Sequence, residues 1–100
     1  MFGSRPYSLK SFSEIERKAM DAALSIVAAM DDANLSKQAK TAQSHMKGFS
    51  PSFDKSDVSI TASSLAAIVS AAQSGKLNVD ISTDAQAVFI ATAKKLTDLV

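Results

Sequence analysis

His45 is the single histidine of this 100-residue sequence, and cysteine is absent. Together these facts exclude a paired-histidine metal site, a thiolate zinc or iron–sulfur site, a disulfide and a cysteine nucleophile. Any Ser-His-Asp arrangement would have to be built on this one imidazole. Paired carboxylates occur only as Asp31 with Asp32 and Glu14 with Glu16, at the ends of an expected helix, where acids serve caps and the helix dipole. The glycines Gly3, Gly48 and Gly75 stand alone, so no phosphate-cradling loop is present. The residue types predict a protein without catalysis, cofactor or metal.

Two short stretches resemble known functional units. His45-Met46-Lys47-Gly48 resembles the H-x-x-K-G motif of histidine phosphotransfer domains, helical bundles of similar length in which the Lys lies three positions after the phosphorylated His. Here the step is two, which turns Lys47 about 200° around the helix from His45 and removes the shared face that the transfer needs. His45 is therefore expected as an exposed helix-end residue. Leu35-Ser36-Lys37-Gln38-Ala39, followed by Ser44 and Lys47, resembles the opening of a helix-turn-helix unit, with Gln43 where the turn glycine would stand. That resemblance implies nucleic-acid binding through Lys37, Lys40 and Lys47. From residue 35 to 56, Lys37, Lys40, Lys47 and Lys55 face the single acid Asp54, the one clear local excess of positive charge. Solvated lysines on a polar helix are the alternative.

The other candidate surface is a protein-binding one. Phe49-Ser50-Pro51-Ser52-Phe53 sets two of the five Phe in a polar connector, a composition suited to an interface anchor, with Lys47 and Lys55 as its polar rim. The competing expectation is that both rings fold back onto the bundle.

The elements that must position these residues are helical. Ser13 and Glu16 have the capping-box spacing, and Ile15, Ala19, Ala22, Ala23, Ile26, Val27 and Met30 recur at steps of three and four, predicting a helix over 14–30. Ser36 as a cap and Gly48 as a stop predict a second, mostly solvated helix over 36–47. Helices are expected over 62–74, ended by a left-handed Gly75, and over 83–98. Val58-Ser59-Ile60-Thr61 and, 21 residues later, Val79-Asp80-Ile81-Ser82 form a weak repeat. Each copy reads as an extended lead-in that caps a helix, with a two-strand pairing of the two segments as the alternative. The fold expected is all-α, a four-helix bundle-like single domain over 1–100, with residues 1–12 extended or poorly ordered. Ile26, Val27, Leu65, Ile68, Val69, Val88, Phe89 and Leu96 are its expected core.

A net charge of +1 gives no whole-molecule field toward nucleic acid or anionic lipid. The longest apolar runs fall far short of the roughly 20 residues that span a bilayer, and the first 18 residues hold no signal-peptide core. A non-secreted, cytoplasmic protein is expected. By elimination, the expected function is a non-enzymatic protein–protein interaction module, regulatory or inhibitory, of bacterial or phage accessory type. The partner would be another protein or itself. A DNA-binding regulator and a self-associating structural subunit are the alternatives.

Overall fold

A computed structural model describes residues 7, 9–47, 53–77 and 80–100. Four helices follow one another: α1 (Glu14–Ala28), α2 (Ala33–Lys47), α3 (Lys55–Gln73) and α4 (Thr83–Thr97). No strand occurs among the described residues. Every pair of helices packs together except α2 with α4. The bundle is thus a rhombus with α1 and α3 across its short diagonal.

α1 starts where the sequence places it. The Ser13 hydroxyl accepts from the Glu16 amide at 3.1 Å, and the Glu16 carboxylate accepts from the Ser13 amide at 2.8 Å. α2 starts three residues before the expected cap. Asp32 Oδ1 accepts from the amides of Asn34 and Leu35, at 3.0 and 3.1 Å, and so caps the helix. Ser36 lies inside α2 and donates its hydroxyl to the Ala28 carbonyl at 2.6 Å, satisfying an acceptor in the last turn of α1.

The largest correction concerns α3. Val58, Ser59, Ile60 and Thr61 are helical, so this copy of the repeat is neither a lead-in nor a strand, and the two-strand pairing does not form. The helix begins at Lys55 because Asp54 and Asp57 form a reciprocal capping box at 3.0 and 2.9 Å. Phe53 and Val58, at the positions of a hydrophobic staple, are both buried. β-Branched side chains carry only a small helix penalty, and burying Val58, Ile60 and Thr61 outweighs it. The buried hydroxyls of Thr61 and Ser64 donate to the carbonyls four residues back, both at 2.7 Å, which removes the cost of burying them. The second copy keeps its lead-in: Ser82 caps α4 by accepting from the Ala85 amide at 3.1 Å, and Val79 lies outside the described residues. Between α3 and α4, Gly75 at φ +72° turns the chain. The Gly75 amide donates to the Ala72 carbonyl and the Lys76 amide to that of Ala71, closing a Schellman motif.

The core holds Val27, Leu65, Ile68, Val69, Phe89 and Leu96 as expected, while Ile26 and Val88 are only half-buried. It also takes Phe12, Met20, Leu24, Phe53 and Val58. Within the segment expected to be extended or poorly ordered, the Phe12 ring is buried under Lys95 of α4, whose Nζ stands 4.7 Å from the ring centroid. The same Nζ reaches Glu16 Oε1 at 3.0 Å and donates to the Ser11 carbonyl. Upstream, the Tyr7 amide donates to the Phe53 carbonyl at 2.7 Å.

Candidate functional site

Phe53 is 1% exposed and belongs to the core, so the fold-back alternative holds for it and it is not an interface anchor. Its burial follows from its place one residue before the Asp54 cap, where an apolar side chain covers the first turn of α3. Phe49 and Pro51 lie outside the described residues. Lys47 and Lys55 are exposed at the end of α2 and the start of α3, and Lys47 Nζ lies 3.9 Å from Asp21 Oδ1 of α1. No loop-centred apolar anchor with a lysine rim is assembled from the described members of this set.

Lys37, Lys40 and Lys47 share one solvent-facing arc of α2, about 80° wide by helical geometry, and α2 contains no acid. The helix runs unbroken from Ala33 to Lys47, with no turn at Gln43. Gln43 Nε2 instead donates to Ser25 Oγ at 2.7 Å and to Asp21 Oδ1 at 3.0 Å, pinning α2 to α1. The turn that the helix-turn-helix resemblance sets at Gln43 does not form, while the basic face remains.

His45 is one-third exposed and has a partner that its neighbours in sequence do not reveal. Its Nδ1 stands 2.6 Å from Asp57 Oδ2, a buried carboxylate oxygen that also accepts from the Asp54 amide. The pair joins the last turn of α2 to the first turn of α3. Among the described residues no group of three His, Cys, Asp or Glu could hold a metal ion.

Two grooves on opposite edges of the rhombus differ in character. That between α2 and α3 is mixed, lined by Asn34, Leu35, Gln38, Thr41, Ser59 and Ile60 among others. That between α1 and α4, about 560 Å³, is apolar: Ile15, Ala19, Ala22 and Ile26 form one wall and Ile81, Ala85, Val88 and Phe89 the other. Lys18 and Asp80 stand at its rim. Ile15 is 66% exposed, the most exposed large apolar residue among those described. A clue lay in the width of the apolar arc on α1. Ala19, Met20, Ala23, Leu24 and Val27 face the core, and Ile15, Ala22 and Ile26 flank it on the α4 side.

No known protein family, curated protein or solved structure matches this chain. No helix among the described residues is long and apolar enough to cross a membrane.

Proposed function

We propose that this chain is a non-enzymatic protein–protein interaction module that receives an amphipathic helix in the α1–α4 groove. The observation that supports this reading is the exposure of Ile15 above the small side chains of Ala19 and Ala22. An isoleucine held in water beside an apolar trough gains free energy when a second apolar surface covers both. Helix-in-groove recognition uses apolar anchors at helical spacing against such a trough. The site thus moves from the connector around Phe53 to the opposite side of α1. A regulatory or inhibitory role in the cytoplasm follows the same reading, because a module without chemistry of its own acts by occupying its partner.

The test is photo-crosslinking in native extract from a reactive group placed at Ile15, with Ser70 on the exposed side of α3 as control. A defined protein adduct from position 15 and none from position 70 is expected. Absence of any adduct at 15 overturns the reading. A second reading, duplex binding by Lys37, Lys40 and Lys47, draws on their common exposed face on a helix that itself carries no acid. It requires an affinity that falls steeply with salt, and binding absent at low salt ends it.

A further inference from the structure

We draw no further inference here: the strongest candidate, the apolar groove between α1 and α4 with the exposed Ile15 along its wall, belongs to the site already described, and nothing in the structure shows what covers it.

Discussion

His45 Nδ1 and Asp57 Oδ2 stand 2.6 Å apart, and this one contact fastens the end of α2 to the start of α3. Asp57 serves two purposes, because the same oxygen closes the α3 capping box on the Asp54 amide. Removing the carboxylate by D57A therefore loses a cap and a buried hydrogen bond, an expected cost of ~1–3 kcal/mol. H45A should cost about 1 kcal/mol, since the ring is partly solvated. A double-mutant cycle by urea unfolding should show a coupling of at least ~0.5 kcal/mol. Strict additivity would mean that the two side chains do not hold each other in solution.

Phe53 supplies a sharper contrast. Its ring is buried next to the α3 cap, so F53A should cost ~3–5 kcal/mol and lower the melting temperature by many degrees. The exposed neighbours Lys47 and Lys55, changed to Ala, should stay within about 0.5 kcal/mol of the parent protein. An F53A variant with parental stability would return this residue to the surface.

How far the sequence discloses this molecule depends on the distance between the interacting partners. The start of α1 is legible because Ser13 and Glu16 satisfy each other within one turn. The start of α3 carries the same local information, with Asp54 and Asp57 as the box and Phe53 and Val58 as the staple. There it competes with the β-branched Val58, Ile60 and Thr61 and with a repeat that pointed to an extended segment. Tertiary burial decides that contest, and periodicity does not report it. The partner of His45 lies 12 positions away on another helix, so no local rule finds Asp57. The groove is half legible. The wide apolar arc of α1 is visible in the sequence, but which part of it faces solvent depends on where α4 docks.

Gly75 isolates a backbone effect from a packing effect. At φ +72° it sits in the left-handed region, and a Cβ there would meet no heavy atom within 4 Å. G75A should therefore cost ~1–2 kcal/mol through the left-handed penalty alone. G75N, which tolerates that region better, should cost less. Equal losses for the two substitutions, measured by denaturant midpoint, would show that sterics rather than dihedral preference control the position.

Acid sensitivity should pass in part through Glu16. The Ser13 amide, and after it Lys95, hold the Glu16 carboxyl below its ordinary value of 4.5. The unfolded chain then binds a proton at this site at a higher pH than the folded one. Glu16 accordingly contributes its full stabilisation above about pH 4.5 and loses it as pH falls through the depressed folded value. Other carboxylates titrate over the same range, so the informative quantity is the difference between the parent protein and E16Q. The unfolding free energy of E16Q should be lower than the parent's near neutrality, and the two curves should converge as the pH is lowered past the carboxylate range. K95A should narrow the same gap, because it removes one of the two groups that favour the ionised form and also frees Phe12 and Ser11 from their tie to α4. Parallel curves for the parent and E16Q across that range would show that the Ser13–Glu16–Lys95 contact does not favour the carboxylate in solution.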